Sequence, residues 1–402
     1  MSGHPHTLHL PPPERLVPSK YALTGIFAIL SVVGIILSAL GAWHDRVQFA
    51  YSWFFAFYFF FTIALGSFFW VTLHHACNAG WGVLVRRVWE NIVALIPLFF
   101  ILFLPCCIPT SGGAFGGILW KYLTPENQAA LNHAKDWFSP MSFSFRVVVY
   151  FLYFSLAGLY YWRRSRMQDI DGSPVHTRNM IDHSYLALVI FGVLETFLSF
   201  DWFMGLAWSW SSSLFGAYNF GVCAQASLAA CIVLVAIFRS AGFLGALNSE
   251  HFYLMGKLLL GFTMLWAYFA FGQFLLIWYA NIPEETIFYN DHNRGAWMYL
   301  SFLIIVGKFM LPVMYLLAQD TKKSLRALTA IAIWILIMHG VELYWFIMPY
   351  AHPTSIIPSI QDFVAFMTVG SILGFAYIRV TASASLFPNR DPRMVECLTV
   401  TN

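Results

Sequence analysis

The sequence predicts an all-α, polytopic membrane protein with ten transmembrane helices. First, 59% of the 402 residues are hydrophobic and only 10% are charged, whereas soluble domains carry about 25% charged residues. Second, ten apolar runs are each long enough to cross the hydrocarbon core of a bilayer, which takes about 20 residues. Third, most Lys and Arg residues lie in every second connecting loop, which places them on one side of the predicted membrane. We therefore expect a transmembrane domain over 22–380, between an N-terminal segment 1–21 and a tail 381–402.

The ten predicted spans, numbered span 1 to span 10 in chain order, are joined mostly by short loops. They lie near residues 22–42, 51–73, 92–110, 143–162, 184–205, 214–238, 258–280, 295–318, 327–349 and 362–379. Span 3 contains internal prolines, which bilayer helices tolerate better than soluble helices do, so we expect a bend there. Trp and Tyr gather at the ends of the spans, as membrane interfaces favour.

The distribution of Lys and Arg predicts that both termini lie in the cytoplasm, because cytoplasmic loops carry an excess of these residues. One set of span ends holds 16 of the 22 Lys and Arg residues, and the opposite loops hold only Arg46, Lys121, Lys135 and Arg294. The longest loop, 111–141, is then on the outer side. Thr124 is a good helix N-cap there, which predicts a short surface helix; a plain connecting loop is the alternative.

Other features exclude several classes of protein. The net charge of +3 indicates no nucleic-acid partner. The six cysteines contain no CxxC pair, and they predict neither a disulfide framework nor a haem c attachment. The N-terminus lacks the apolar core of a cleaved signal peptide, and the polar tail from Thr381 is expected to be poorly ordered. Four histidines near cytoplasmic span ends are expected to be solvated or helix-capping, with haem b ligation less favoured: His74, His75, His183 and His251.

Ionisable residues inside the spans are the main candidates for function, since each is costly in the bilayer unless it is paired or hydrated. They are Arg146 in span 4, Glu195 and Asp201 in span 5, Lys308 in span 8, and His339 and Glu342 in span 9. One interpretation is structural pairing, of Lys308 with Glu195 or Glu342 and of Arg146 with Asp201. The other is a chain of proton-transfer groups from mid-membrane to the outer face, ending at Glu284 and Glu285 after span 7. The adjacent pair Glu284 and Glu285 suits a boundary or docking role equally well.

Five stretches together resemble a known family. They are NAGWGVLVRRVWE (78–90), LSFDWFMGL (198–206), SLFGAYNFG (213–221), FLLIWYANIPEETIFY (274–289) and HGVELYWFIMP (339–349). They are similar, in order and from about residue 20 to 380, to the second quinone-type membrane subunit of bacterial alternative complex III, a quinol:cytochrome c oxidoreductase. That subunit belongs to the polysulfide-reductase-type integral membrane family.

The resemblance implies two four-helix bundles, spans 2–5 and spans 6–9, in the bacterial inner membrane. It implies a sister ten-helix subunit that binds quinol, and multihaem cytochrome c and iron–sulfur subunits on the outer face. Haem c and iron–sulfur centres would then belong to these partners, and this chain would bind no cofactor of its own beyond contact with quinol or quinone. Residues carried over by the motifs are Asp201, Trp202, Glu284, Glu285, His339 and Glu342. Arg146, Trp202, Tyr344 and Trp345 are candidates for quinone contact or for packing.

Two departures from the family pattern matter. The family tends to carry an acidic residue and Pro-His-Trp after its DW-M motif, where this chain has Ala207-Trp208-Ser209-Trp210, which weakens the expectation of a quinone head-group site there. Glu342 replaces a usual Asp, and so keeps the carboxylate.

The sequence therefore favours a membrane subunit of a respiratory electron-transport complex, without a redox centre of its own, that supports proton transfer, quinone contact or assembly. The first alternative is a purely structural scaffold subunit. A stand-alone transporter ranks last, because the two halves lack the paired helix interruptions typical of transporters.

Overall fold

The computed structural model describes residues 11–16, 22–107, 137, 140–207 and 210–401. Helix accounts for 83% of these described residues, which contain no strand. Within these ranges ten helices are long and apolar enough to cross a membrane, which confirms the predicted number of spans. They are Leu23–His44, Arg46–Ala76, Gly80–Cys106, Met141–Asp171, Pro174–Leu206, Phe215–Ser240, Ser249–Ala280, Trp297–Leu317, Leu325–Tyr350 and Ile360–Ala382.

Several spans extend beyond the apolar runs, because helix caps and amphipathic turns continue them. Span 2 begins at Arg46, where the Asp45 carboxylate accepts hydrogen bonds from two backbone N–H groups of the first turn, each at 3.0 Å. Span 3 begins at Gly80 rather than near residue 92, because its first turns carry charged residues that an apolar-run criterion excludes. Its α-helix is interrupted at residues 94–95, just before Pro97, in agreement with the expected bend.

Span 2 lies at the centre of the protein. It packs against spans 3, 5, 6 and 10, and nearly all of its side chains are buried. Span 6 packs against span 2 and also against spans 5, 7 and 9. Span 1 contacts chiefly span 10 and leaves most of its apolar side chains exposed. The two most buried helices therefore bring together residues from most of the other spans.

The C-terminal segment packs against the protein, so the expectation of a poorly ordered tail is wrong for residues 383–401. Leu386 and Phe387 are buried, and the short helix Met394–Leu398 follows them. Asp391 accepts a hydrogen bond from Arg86 of span 3 at 2.9 Å and one from Arg393 at 3.1 Å. We call this side of the molecule the tail end. Polar composition predicted disorder here because the complementary buried charges on span 3 cannot be recognised from the tail alone.

Arg87 strengthens the same attachment. Its guanidinium pairs with Asp169 at the end of span 4, and it donates to the carbonyl oxygens of Ser385 and Phe387, each at 3.2 Å. Span 3, span 4 and the tail are thus joined by charge-assisted hydrogen bonds, which are stronger than neutral ones.

At the opposite end, span 7 stops at Ala280 and a short helix, Pro283–His292, follows it. Asn281 has φ 48°, a left-handed conformation that Asn tolerates better than most residues. Phe288 and His292 anchor the short helix in the protein, and burial lowers the pKa of His292 to about 4. Pro283 therefore starts a new helix after span 7 ends. Most of 1–21 and the predicted helix of the 111–141 loop lie outside the described residues.

Replacing Asp391 by Asn is expected to loosen the tail. Burial acts to raise the pKa of Asp391, but Arg86 and Arg393 outweigh it and hold that pKa well below its ordinary value of 3.8. The carboxylate therefore stabilises the folded tail above about pH 4, and this contribution is lost as the pH falls below that value. At neutral pH the variant leaves buried Arg393 without its counter-ion and Arg86 with Glu90 alone, which costs about 3–5 kcal/mol locally.

The measurement is the mobility of a spin label at the exposed Val395. The label should become mobile in Asp391→Asn at pH 7, and in the unmodified protein only under acid. The exposed Asp320 supplies the control, Asp320→Asn. Equal mobility in all three proteins would refute the assigned role of Asp391.

Candidate functional site

Lys308 and Glu342 form an ion pair inside the helix array, with 0% and 1% of their side chains exposed. Of the two partners predicted for Lys308, the structure selects Glu342 over Glu195. Glu342 is also hydrogen-bonded by two neutral donors, the hydroxyl of Tyr218 at 2.6 Å and the indole N–H of Trp266 at 2.7 Å. Spans 6, 7, 8 and 9 therefore converge on one carboxylate.

A local irregularity in span 8 carries Lys308. Residues Ile305–Met310 form a π-helical turn, and Pro312 has no N–H to donate to the carbonyl of Lys308 four residues earlier. The carbonyl of Gly307 accepts a hydrogen bond from the indole of Trp334 on span 9 at 2.7 Å. A Cβ at Gly307 would lie 2.8 Å from the sulfur of Met338, so a glycine is needed for this close approach of the two spans.

His339 joins this centre to span 2. Its Nε2 lies 2.9 Å from the hydroxyl oxygen of Thr62, and that hydroxyl lies 2.8 Å from the carbonyl of Phe59, to which it donates. Because the hydroxyl has one proton, Nε2 must be the donor to Thr62. In the neutral imidazole Nδ1 is then the acceptor nitrogen; it makes no hydrogen bond within the described residues and lies 3.9 Å from Glu342 Oε2. The centre thus contains a buried imidazole nitrogen beside a carboxylate.

Glu195 lies on the other side of span 6. Its carboxyl accepts a hydrogen bond from the Asn219 amide at 2.7 Å, and the Asn219 carbonyl oxygen accepts one from Tyr58 at 3.1 Å. No cationic side chain pairs with Glu195 in the described part of the chain. Cys223, one turn after Asn219, lies within electrostatic range of Glu195, Lys308 and Glu342. Adjacent residues of span 6, Tyr218 and Asn219, therefore serve the two buried carboxyls separately.

Asp201 forms a distinct cluster with Arg146, as the pairing prediction expected. The guanidinium donates from Nε at 2.7 Å and from Nη2 at 2.8 Å, one bond to each carboxylate oxygen. The indole of Trp137 and the hydroxyl of Tyr150 add two more bonds at 2.9 and 2.7 Å. Four donors occupy this buried carboxylate, so its hydrogen-bonding capacity is filled and it holds spans 4 and 5 to Trp137.

The aromatic candidates are engaged in packing. Trp202 is buried and stacks on Phe103 with ring centroids 4.5 Å apart, although its N–H makes no hydrogen bond within the described chain. Tyr344 stacks on Trp297 at 5.8 Å, and Trp345 donates to the hydroxyl of Ser301 at 2.8 Å. These contacts favour packing over quinone contact for the three residues, and Arg146 is already engaged by Asp201.

Glu284 and Glu285 lie apart from the buried groups. They occupy the first turn of the short helix Pro283–His292, where Glu284 is exposed and Glu285 partly exposed. Carboxylates in a first helical turn are stabilised by the helix dipole. The structure therefore brings Lys308, His339 and Glu342 together, and it separates them from Asp201 and from this surface pair.

Sequence reasoning missed the neutral partners: Tyr58, Thr62, Tyr218, Asn219 and Trp266. Hydroxyl, amide and indole groups are common in so aromatic a chain, and only the adjacent Tyr218 and Asn219 inside an apolar span offered a signal. No protein-family profile matches the sequence, and no curated protein matches it. The functional interpretation consequently depends on the residues themselves.

Removing either member of the central ion pair is expected to destabilise the fold more than removing both. Lys308→Met or Glu342→Gln alone leaves a buried charge unpaired, which costs about 3–5 kcal/mol in the free energy of unfolding. The double variant removes both charges and should unfold at a free energy between those of the native protein and the single variants. Unfolding in detergent micelles, followed by tryptophan fluorescence, measures all four proteins.

The control is the partly exposed pair Lys323 and Glu250, whose charged atoms are 2.9 Å apart. Lys323→Met should change the free energy of unfolding by at most about 1 kcal/mol. If the losses in the free energy of unfolding caused by Lys308→Met and by Glu342→Gln simply add in the double variant, the assigned pairing is wrong.

Proposed function

We propose that this chain is the membrane subunit, without a redox centre of its own, of a quinol:cytochrome c oxidoreductase complex of the alternative complex III type, and that it transfers protons. The observation that carries the proposal is the Nδ1 of His339, which is buried without a hydrogen-bond partner in the described residues, 3.9 Å from a Glu342 oxygen and beside Lys308. An imidazole nitrogen without a hydrogen-bond partner can accept a proton, and the neighbouring carboxylate stabilises the resulting charge.

A series of polar contacts along span 2 supports this function. From the tail end outward, a hydrogen bond of 2.9 Å joins Ser67 to Ser227, the contact of Thr62 with His339 follows, and Tyr58 then reaches Asn219. Hydroxyl groups both donate and accept, and so can pass a proton along a file. We call this series the span 2 file.

Glu195 is the second proton-carrying group in the proposal. Because a buried carboxylate is costly without a cationic partner, and Glu195 has only the Asn219 amide, the protonated carboxyl suits this site. Asp201 takes a structural role instead, because its four hydrogen bonds join spans 4 and 5 to Trp137. Glu284 and Glu285 serve at the outer surface, as proton exit or docking groups.

The proposed assembly follows the resemblance of the five sequence stretches. Spans 2–5 and spans 6–9 would form the two bundles, which the packing of span 2 on spans 3 and 5 and of span 6 on spans 7 and 9 supports. A sister subunit would bind quinol, and cytochrome c and iron–sulfur subunits would cover the outer face in the bacterial inner membrane. The tail end would then face the cytoplasm.

A scaffold role is the second candidate function. The filled carboxylate of Asp201 and the ion pairs of Asp391 favour it, since each of these carboxylates joins separate segments of the chain. A pure scaffold predicts that neutral variants of the buried groups change stability and leave proton coupling intact.

His339→Phe is expected to lower the number of protons released per electron. Phenylalanine retains a ring against Phe59, whose centroid is 4.9 Å from the imidazole, and it removes the accepting nitrogen. Glu195→Gln should act in the same way while keeping an acceptor for Asn219. In reconstituted vesicles, coupled proton transfer should fall by at least about tenfold, while quinol oxidation in the presence of an uncoupler is retained.

Glu342→Gln should also reduce coupling, but it leaves Lys308 unpaired and is therefore a weaker test. The exposed Asp320 supplies the surface control, Asp320→Asn, which should couple normally. Normal coupling in both His339→Phe and Glu195→Gln would remove the proposed path and favour the scaffold.

The proposed orientation can be measured with the exposed thiol of Cys77, at the tail end of span 2. A membrane-impermeant maleimide should label Cys77 in inverted membrane vesicles and spare it in intact cells. Cys397 should react slowly from either side, because burial raises its pKa to about 11 and the thiolate is the reactive form. Cys77→Ser supplies the control, and labelling of Cys77 in intact cells would reverse the orientation.

A further inference from the structure

Two ring systems at the tail end carry polar atoms that lack hydrogen bonds. Both ring nitrogens of His75 and the hydroxyl of Tyr161 are buried and unpartnered within the described residues. The two side chains are 0% and 2% exposed, and their rings stack with centroids 5.6 Å apart. Spans 2 and 4 therefore bring three unsatisfied polar atoms to one place.

Charged neighbours add further unused atoms. Arg86 and Glu90 bond to each other at 2.7 Å, yet Arg86 Nη1 and Glu90 Oε2 make no hydrogen bond in the part of the chain described. Arg87 Nε is 3.7 Å from the same Glu90 oxygen, which is beyond hydrogen-bond distance. Arg86 also lies within electrostatic range of His75, so the unused atoms belong to one neighbourhood.

Water is the ligand class that fits these atoms. An unpartnered buried polar group is costly, and a buried water typically makes about three hydrogen bonds to such groups. Arginine and carboxylate charges alternate here, so no bound ion is needed to balance them. The described residues also contain no group of three or more His, Cys, Asp or Glu that could hold a metal ion.

We propose that water molecules occupy a site between His75, Tyr161, Arg86 and Glu90, and that this hydrated site delivers protons to the span 2 file from the tail end. The second half of the proposal rests on the proposed function. Imidazole and phenol groups each bind water through a donor or an acceptor, and His75 lies on the same helix as Ser67 and Thr62. Asp391 and Arg393 of the tail also lie within electrostatic range of His75.

The test of hydration uses the unmodified complex and one substitution. A density map at about 2 Å resolution should show solvent peaks within hydrogen-bond distance of Tyr161 Oη and of a His75 ring nitrogen. Tyr161→Phe should lower the melting temperature by about 2–4 °C, because it removes a partner of the bound water. In a dry site the same substitution removes an unpartnered hydroxyl and should raise the melting temperature.

Tyr160→Phe is the matched control. It removes a phenol hydroxyl from the neighbouring position, where that hydroxyl lies 3.3 Å from His183 Nδ1, away from the unpartnered atoms. This variant should leave the solvent peaks at His75 unchanged.

The delivery of protons is measured in a separate experiment, as the rate of proton uptake from the tail end in vesicles. Tyr161→Phe should slow uptake about tenfold while uncoupled quinol oxidation is retained, and Tyr160→Phe should change neither. Absence of solvent peaks together with a raised melting temperature overturns the site, as does a single strong peak of a bound anion at Arg86. Solvent peaks with unchanged uptake in Tyr161→Phe overturn the delivery of protons. If His339→Phe and Glu195→Gln couple normally while the peaks are present, the proposed function fails and the hydrated site stands.

Discussion

The absence of water from the hydrocarbon core is the constraint on which the interior of this protein depends. A lysine and a glutamate buried there can remain charged only if they are paired and hydrogen-bonded. Glu342 meets this requirement with Lys308, Tyr218 and Trp266, which come from three different spans. The π-helical turn of span 8 and the small volume of Gly307 follow from the same requirement, because they bring span 8 close to span 9. One ion pair thus determines how four helices meet.

The buried ionisable residues differ in how fully they are hydrogen-bonded, and this difference distinguishes structural residues from candidate functional ones. Asp201 has four donors and Asp391 lies between two arginines, so neither has capacity left to exchange a proton without breaking a cluster. His339 and Glu195 differ, since one has an unused nitrogen and the other only a neutral amide partner. The two carboxylates lie at opposite ends of the protein. They hold the helices in place around a centre that retains free polar atoms.

Span 2 combines close aromatic packing with isolated polar contacts. Its phenylalanines pack against spans 3, 4, 5 and 10, as in the stack of Phe57 and Phe61 beside Trp202. Between these rings, single hydroxyl groups bond to spans 6 and 9. Dense packing fixes these hydroxyls in position, and each has a partner across the interface. Span 2 is therefore a rigid apolar frame that holds a few ordered hydroxyls.

The sequence by itself determined the fold class and the number of spans, because a bilayer requires about 20 apolar residues for each crossing and the chain meets this requirement ten times. It also singled out the ionisable residues inside the apolar runs, such as Lys308 and Glu342, which are buried. It did not predict the burial of His75, Arg86 and Glu90, because these residues lie where the apolar runs end. It reached the pairing of Arg146 with Asp201 from their shared depth. Local pattern was sufficient wherever the property depends on residues close together in the chain.

Only the tertiary structure decided which partners these charges have. The choice of Glu342 over Glu195 for Lys308 depends on which faces of spans 6 and 9 meet, and neutral donors such as Trp266 carry no distinctive signal in an aromatic-rich chain. The ordered packing of the tail could not be predicted for the same reason. Asp391 is held there by a hydrogen bond from the buried Arg86, which lies more than 300 residues earlier in the chain. Helix packing determines which residues distant in the sequence form ion pairs and hydrogen bonds, and this packing cannot be deduced from the composition.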